Sequence, residues 1–236
     1  MAEYDVAIEY IFGLMKDGTL KVGDKLPTER AIAAELGIGR NKAREALSIL
    51  SGMGMIESRQ GSGNFVSGNA SGAIKNMIIM MMALNTISRQ EVCKFRRDME
   101  KAVCSSLISN PPSEEIKNRI KDTLRAMDGL SGEELAKADH DFHNALVKAT
   151  GNKLWEVMMD AVADLYSEWI DYVIQKIDVK NRAKLMQSHK DIFNNIIEDK
   201  PRKAMQAIEK HYELIEELLK SVSYTHLRAH ETVLDL

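Results

Sequence analysis

"LPTERAIAAELGIGRNKAREALSILSGMGMIESRQGSGNFV", from Leu26 to Val66, decides the fold of the first part of the chain. Thr28 is a good helix N-cap, and the short helix after it ends at Gly37, a residue that readily adopts a left-handed conformation. A second short helix is predicted over 41–53, followed by two β-type runs, MIESRQ and NFVSG, on either side of a Gly-Ser-Gly turn. Two short helices joined by a tight turn and followed by a small hairpin are typical of a winged helix-turn-helix.

The second of these helices carries side chains suited to reading DNA. In a helix-turn-helix the second helix enters the major groove with its first turns facing the base edges. Arginine matches the O6 and N7 atoms of guanine, asparagine matches adenine, and lysine suits phosphate or guanine. The predicted DNA contacts, which include one residue of the preceding helix and the wing tip, are Arg30, Arg40, Asn41, Lys42, Arg44 and Gly61. The alternative is ordinary surface charge, since residues 1–67 hold 8 Lys and Arg against 9 Asp and Glu.

The sequence predicts a mainly α protein with two domains. The winged helix-turn-helix occupies 1–67, and the small residues of GNASGA (68–73) indicate a flexible linker. Residues 74–221 show only helical signals. The helices are predicted at 74–84, 88–109, 113–128, 133–150, 153–176, 180–198 and 201–221. Seven helices in about 150 residues indicate an all-α bundle.

The last segment, 222–236, has no sustained apolar period and does not fit this bundle. Two interpretations remain open: a tail foreign to the domain, or a genuine frayed terminus. The two histidines of this segment are therefore left out of any predicted site.

Composition limits the classes of protein that are compatible with the chain. The formal net charge is −3 at pH 7, so DNA binding would rest on a local patch rather than on a global basic field. Cys93 and Cys104 are predicted to be reduced thiols. No basic-then-apolar signal peptide is visible, and the most apolar run, MIIMMMAL (77–84), is 8 residues long, against the roughly 20 of a membrane span. We expect a soluble, cytoplasmic protein with no membrane partner.

A second stretch, DHDFHNALVKATGN (139–152), concentrates potential metal ligands on one predicted helix. Asp139 and His143 are four residues apart and share a face. His189 and His211 lie eleven residues before and after Lys200, at the turn between the last two helices, so an antiparallel hairpin would place them at the same height. Three imidazoles and one carboxylate form a plausible site for Zn²⁺, Ni²⁺ or Mn²⁺. The rival interpretation makes each of them an ordinary core or surface residue.

The first stretch resembles the winged-helix domain of the GntR family of bacterial transcription regulators. The match covers positions 18–66 almost without gaps, through motifs such as GTLKVGDKLPTERAIA and GRNKAREAL. It implies DNA contacts from the residues named above. Two departures stand out: Gly39 replaces the usual Ser before the first recognition arginine, and Lys42-Ala43 replaces the frequent Pro-Val. Loss of that hydroxyl puts the base preference in doubt more than the fold.

The helical part resembles the FCD ligand-binding domain of the FadR-type branch of the same family, through FRRDMEKAV, ADHDFHNALVKATGN and SHKDIFNNIIEDKPRKAMQAIEKH. Many members bind a divalent metal through one Asp and three His at this spacing. The resemblance thus implies Asp139, His143, His189 and His211 as ligands, with zinc favoured and nickel or manganese as alternatives.

Arg96 lies four residues before Glu100, as in the family's R-x-x-x-E helix. In related regulators this arginine faces the cavity, so the resemblance implies that it binds an effector carboxylate, which a guanidinium can hold in bidentate fashion. The rival interpretation is a surface ion pair between Arg96 and Glu100. Tyr166, Trp169 and Tyr172 could line the same cavity, although aromatics at helical spacing are more often core.

These features predict a ligand-responsive regulator. A homodimer would place two reading helices on double-stranded operator DNA, and a small carboxylate would alter operator binding. In one alternative the metal itself is the signal. In another, a His and Asp metal site activates water as in a metalloenzyme. The absence of a placed general base argues against that last alternative.

Overall fold

In the computed structural model, the backbone is described for residues 2–231, and side chains are described except at 164, 166–169, 176 and 221–231. The chain divides into two compact units, 1–78 and 79–236. None of the helices described is long and apolar enough to cross a membrane.

The first unit contains the expected winged helix-turn-helix. Its elements are α1 (Glu3–Lys16), α2 (Glu29–Leu36), α3 (Arg40–Gly52), β1 (Ile56–Arg59) and β2 (Gly63–Val66). The strands are antiparallel, with Ile56 opposite Val66 and Arg59 opposite Gly63. The hydroxyl of Thr28 accepts a hydrogen bond from the N–H of Ala31 and caps α2. These elements agree with the sequence prediction.

A small apolar core fixes the angle between α2 and α3. Ile11 of α1, Ile32 of α2 and Leu50 of α3 are fully buried and belong to one cluster, which Ile56 of the wing also joins. Gly37 ends α2 with φ of 64°, a conformation that residues with a Cβ adopt at a cost. The short connection after Gly37 leads into α3, and the N-terminal end of α3 is exposed.

The second unit is all-helical among the residues described. Its helices are α4 (Ser71–Ala83), α5 (Arg89–Ser109), α6 (Glu114–Ala126), α7 (Gly132–Ala149), α8 (Lys153–Lys176), α9 (Val179–Ile197) and α10 (Pro201–Glu231), of which α4 begins within the first unit. Seven helices follow the wing, as predicted. Helix α7 packs on α6 and α8, and α9 and α10 form an antiparallel hairpin that also contacts α5.

The bundle core is mostly aliphatic, and its buried aromatic rings among the described residues are Phe142, Phe193 and Tyr212. Phe142 is fully buried on α7 and belongs to the same cluster as Leu185 of α9 and Ile208 of α10. Since α5, α7, α9 and α10 all supply this cluster, polar side chains on their inward faces are enclosed by hydrocarbon.

Two helix boundaries in this unit differ from those predicted by about three residues or more, and the others differ by less. The 68–73 segment is irregular only as far as Ala70, since Ser71 already begins α4. The side chain of Asn69 accepts a hydrogen bond from the N–H of Ser71 and so caps a helix that the small residues did not reveal. At the other end, α10 continues past the predicted stop near 221 as far as Glu231.

Candidate metal centre and DNA-reading surface

The four predicted metal ligands lie together inside the bundle. Asp139 and His143 come from α7, His189 from α9 and His211 from α10. All four are buried, and His189 is completely enclosed. The ring of Phe142 packs edge-on against the imidazoles of His143 and His189, with centroids 5.4 and 5.1 Å apart. The polar cluster therefore has an apolar wall.

The ligand atoms of the three imidazoles all lie within 4.8 Å of one another. Nε2 of His143 and Nε2 of His189 are 3.3 Å apart. Asp139 joins on the same side, with Oδ1 3.0 Å from Nε2 of His189 and Oδ2 3.9 Å from Nε2 of His143. Two ring nitrogens and a carboxylate thus face a common point.

These separations suit a metal ion. With metal–nitrogen bonds of about 2.0–2.1 Å, two ligands at the tetrahedral angle are about 3.3 Å apart. Oδ1 of Asp139 is buried, and its contact with Nε2 of His189 at 3.0 Å is not well aligned for a hydrogen bond. A buried carboxylate oxygen without a donor is costly unless a cation satisfies it. The donor set of three imidazoles and one carboxylate fits Zn²⁺ and other divalent transition metals.

Contacts behind the imidazoles decide which nitrogen faces the cluster. Nδ1 of His143 lies 3.0 Å from Oε2 of Glu100, so the carboxylate favours a proton on Nδ1 and leaves Nε2 as the ligand atom. Nδ1 of His211 lies 2.9 Å from the hydroxyl of Ser188, which itself donates to the carbonyl of Leu185 at 2.7 Å. Because that hydroxyl proton is already used, Nδ1 of His211 must be the donor.

Burial and neighbouring charge shift the pKa values of this cluster in opposite directions. Burial would raise the pKa of Glu100, but His143 and Arg96 outweigh it and lower that pKa to about 2. Burial likewise opposes ionisation of Asp139, yet His189 and His143 hold its pKa below the usual range. The pKa of His143 is raised, because Glu100 outweighs burial. The pKa of His211 is well below 6.5, because of burial and the neighbouring imidazoles.

Arg96 lies on α5 beside this cluster. Its Nε–H faces Oε1 of Glu100 at 3.3 Å and the hydroxyl of Tyr212 at 3.1 Å. Arg96 and Glu100 are only 3% and 4% exposed, so the interpretation as a surface ion pair is wrong about the location of the pair. The pair exists, but in the interior.

Sequence reasoning gave no role in this site to Ser188 or Tyr212, and it named Glu100 only as a partner of Arg96. Glu100 could have been found, because it is four residues before Cys104 and four after Arg96 on a face that is otherwise buried. Ser188 and Tyr212 each adjoin a predicted ligand in the sequence, but adjacency alone does not place a side chain in a helix.

His140 and Tyr172 are less buried than the four clustered side chains. His140 is half-buried, and its Nε2 lies 3.7 Å from Oδ1 of Asp171. Tyr172 is 36% exposed. The suggestion that Tyr166 and Trp169 line a cavity falls on side chains outside those described.

The predicted DNA-reading arginines lie on the exposed side of α3, and both contact one acid of α2. Arg44 donates from Nε and from a terminal nitrogen to the two oxygens of Glu29, at 2.9 and 3.1 Å. Arg40 donates from Nε to the same carboxylate at 3.2 Å. The pairing with Arg44 is the main cause of a lowered pKa of Glu29. A carboxylate that sequence reasoning did not consider therefore holds both guanidinium groups.

The other predicted DNA contacts are also at the surface of this unit. Asn41 is exposed on the first turn of α3, and Arg30 is exposed on α2. Lys42 pairs with Glu45 at 2.9 Å. Gly61 is exposed at the wing tip with φ of 72°, where a glycine lets the backbone turn sharply.

A winged helix-turn-helix with arginines on its second helix, joined in one chain to an all-helical domain, defines a DNA-binding transcription regulator. The chain matches the model for bacterial regulatory proteins of the gntR family at residues 3–66 and the FCD domain model at residues 91–214. The protein therefore belongs to the GntR family, among members with an FCD domain. These proteins are transcription regulators rather than enzymes, which removes the metalloenzyme alternative.

The similarity to known regulators extends over most of the chain. The HTH-type transcriptional regulator LutR of Bacillus subtilis is 29% identical over 87% of this chain and 96% of its own length. The Glc operon transcriptional activator of Escherichia coli K12 is 24% identical over 92% of this chain and 89% of its own. The putative L-lactate dehydrogenase operon regulatory protein of the same organism is 25% identical, over 86% and 82%.

Solved structures show the same fold. The Streptococcus agalactiae GntR protein superposes with a TM-score of 0.64 at 19% identity, covering 91% of this chain and 99% of that one. E. coli McbR/YncC superposes with a TM-score of 0.52 at 12% identity, covering 94% and 99%. At these identities the likeness concerns the fold alone.

Proposed function

We propose that this regulator holds a divalent metal at Asp139, His143, His189 and His211, and that a small carboxylate bound beside it alters operator binding. The buried convergence of three imidazoles and a carboxylate carries the proposal. Such a group is expensive to enclose in hydrocarbon without a cation. FCD domains commonly bind metal, which agrees with this donor set.

Zinc is the metal we propose first. Three His and one Asp suit Zn²⁺ at four-coordination, and Ni²⁺ or Mn²⁺ would use the same donors at higher coordination number. When bound, the metal would supply a cationic centre and could offer an open coordination position to a carboxylate oxygen. The residues of the chain orient that centre through Glu100 and Ser188.

Arg96 is the proposed anchor for the effector carboxylate. It is buried beside the cluster, and a guanidinium presents a planar fork of N–H donors that matches a carboxylate. L-lactate is a reasonable first candidate, since one relative is named as a putative regulator of an L-lactate dehydrogenase operon. Glycolate and acetate present the same carboxylate with less bulk.

Homodimerisation would let two reading helices occupy a palindromic operator. Helix α4 supports this proposal, because it has no buried residue and exposes Met77 and Met80 by 63 and 64%, and Leu84 directly after it is 70% exposed. An apolar face with few charges is self-complementary across a two-fold axis. Sedimentation should show a dimer for the wild type and a monomer for Met80→Lys.

A second candidate function makes the metal itself the signal. The nearly complete burial of the four proposed ligands favours it, because four protein donors can saturate zinc. A gel-shift titration on DNA upstream of the regulator's own gene separates the two. A carboxylate that changes the shift at fixed metal supports the first proposal, whereas a response to metal alone supports the second. Binding that is neither salt-sensitive nor selective for that DNA contradicts both.

A further inference from the structure

Glu100 uses its two oxygens on two different partners. Oε2 lies 3.0 Å from Nδ1 of His143, and Oε1 lies 3.3 Å from Nε of Arg96. All three side chains are buried. One carboxylate thus connects a proposed metal ligand to the proposed effector anchor.

We propose that Glu100 couples carboxylate binding at Arg96 to metal binding at His143. The proposal rests on the function proposed above, since it needs both ligands. Glu100 would be a positioning residue, because it acts through Arg96 and His143 rather than by touching either ligand.

The physical reason is competition for one guanidinium. Arg96 neutralises part of the charge of Glu100, and a carboxylate that binds Arg96 draws the guanidinium towards itself. The charge of Glu100 is then shared with fewer partners and acts more strongly on His143. A carboxylate behind a ligating imidazole makes that imidazole a better donor, so the metal is held more tightly. Linkage requires the reverse as well: bound metal strengthens carboxylate binding.

A purely structural role for Glu100 predicts something different. If Glu100 only accepted hydrogen bonds from the two buried side chains, its removal would lower metal affinity and stability without changing how one ligand affects the other. The coupling itself is therefore the readout that separates the two roles.

The experiment measures the Zn²⁺ dissociation constant of the full chain by competition with a chromophoric chelator. The constant is measured in the absence of a carboxylate and in the presence of L-lactate, glycolate or acetate. The variants are wild type, Glu100→Gln and, as a control of equal charge change, Glu115→Gln, an exposed acid of α6 that pairs with Arg119. Glutamine keeps the size of the side chain and an acceptor oxygen but removes the charge.

We expect at least one carboxylate to tighten Zn²⁺ binding by about fivefold or more in the wild type and in Glu115→Gln. Glu100→Gln should bind Zn²⁺ about 10 to 100 times more weakly, with a carboxylate effect of twofold or less. Wild-type coupling that persists in Glu100→Gln overturns the inference and leaves the proposed function standing. Absence of Zn²⁺ binding, or of any carboxylate effect, in the wild type overturns the proposed function instead.

A second variant covers the case in which Glu100→Gln does not fold. Glu100→Asp keeps the charge but is one methylene shorter, so it cannot reach both partners at once. It should retain Zn²⁺ affinity better than the glutamine variant and still lose the coupling. Full coupling in a folded Glu100→Asp would contradict the proposal.

Discussion

Nε2 of His143 and Nε2 of His189 face each other at 3.3 Å in a part of the bundle that is closed to water. Glu100 favours the proton of His143 on the other nitrogen, so this Nε2 presents a lone pair. A proton on Nε2 of His189 can serve this lone pair or Oδ1 of Asp139, which lies 3.0 Å away. A metal ion at this point would replace that proton and bind both ring nitrogens and the carboxylate.

Replacing His189 with Asn should abolish high-affinity metal binding. The imidazole is fully enclosed, and asparagine is too short to reach the common point. We expect Zn²⁺ affinity to fall by at least about 100-fold, with loss of the metal-induced rise in melting temperature. His140→Gln is the matched control, because His140 faces Asp171 instead. Equal losses in both variants would contradict the assignment of ligands.

Metal affinity should fall as the pH decreases. Glu100 raises the pKa of His143 above its ordinary 6.5, so a proton already competes with the metal near neutral pH. Below that pKa we expect a decrease of about tenfold or more per pH unit. His211 adds little, because its pKa is lowered well below 6.5. Isothermal titration between pH 8 and pH 6 measures the effect, and a constant affinity over that range would contradict it.

The proposed metal centre shows what the sequence can and cannot predict. The rings of His189 and His211 lie close together, with centroids 4.7 Å apart, because a tight turn brings residues equally distant from it to the same height on an antiparallel helix pair. The location of Glu100 stayed open, with a surface ion pair to Arg96 as one interpretation, because helical periodicity does not report how deeply α5 is enclosed by α10. Its burial depends on packing between segments more than a hundred residues apart, which a single sequence does not encode locally.

Glu29 should help the protein to distinguish its operator from other DNA sequences, and it should also lower the affinity for DNA in general. It holds Arg40 and Arg44 in fixed positions and adds negative charge beside them. We expect Glu29→Gln to bind random-sequence DNA about 3 to 10 times more tightly, with a dependence on salt concentration steeper by up to about one ion. Fluorescence anisotropy at several salt concentrations measures both quantities.

Glu29→Gln should also discriminate less between DNA sequences. Without the carboxylate that holds them, Arg40 and Arg44 sample more rotamers. Selection from a random library should therefore give a less defined consensus with Glu29→Gln than with wild type. Glu9→Gln, at an exposed position of α1, carries the same change of charge. A consensus equally degraded by the control would mean that charge, rather than positioning of the arginines, is responsible.

Gly39→Ser should stabilise the reading helix. Gly39 is the N-cap of α3 with extended backbone angles, no side-chain cap, and open space where a Cβ would lie. A serine hydroxyl there would add stability of a few tenths of a kcal/mol. Gly37→Ser is the contrast: at φ of 64° a side chain is strained, so we expect about 1 kcal/mol of destabilisation. Urea unfolding of both variants gives the sign of each change.

The helices and hairpin of the winged helix-turn-helix can be predicted from the sequence, whereas its ion pairs cannot. Caps, glycines and the Gly-Ser-Gly wing tip are local signals, and they located α2, α3 and the hairpin. The contacts of Glu29 with Arg40 and Arg44 join residues 11 and 15 positions apart, and they depend on the angle between two helices. That angle is set by the core around Ile32 and Leu50 rather than by any motif.

The most direct test of the account is the operator affinity of one preparation in four states, with and without Zn²⁺ and with and without the carboxylate that couples to it. Fluorescence anisotropy on DNA from upstream of the regulator's own gene would measure it. The account predicts that the carboxylate changes operator affinity by about fivefold or more when Zn²⁺ is bound, and much less in metal-free protein or in His189→Asn. The same operator affinity in all four states would contradict it.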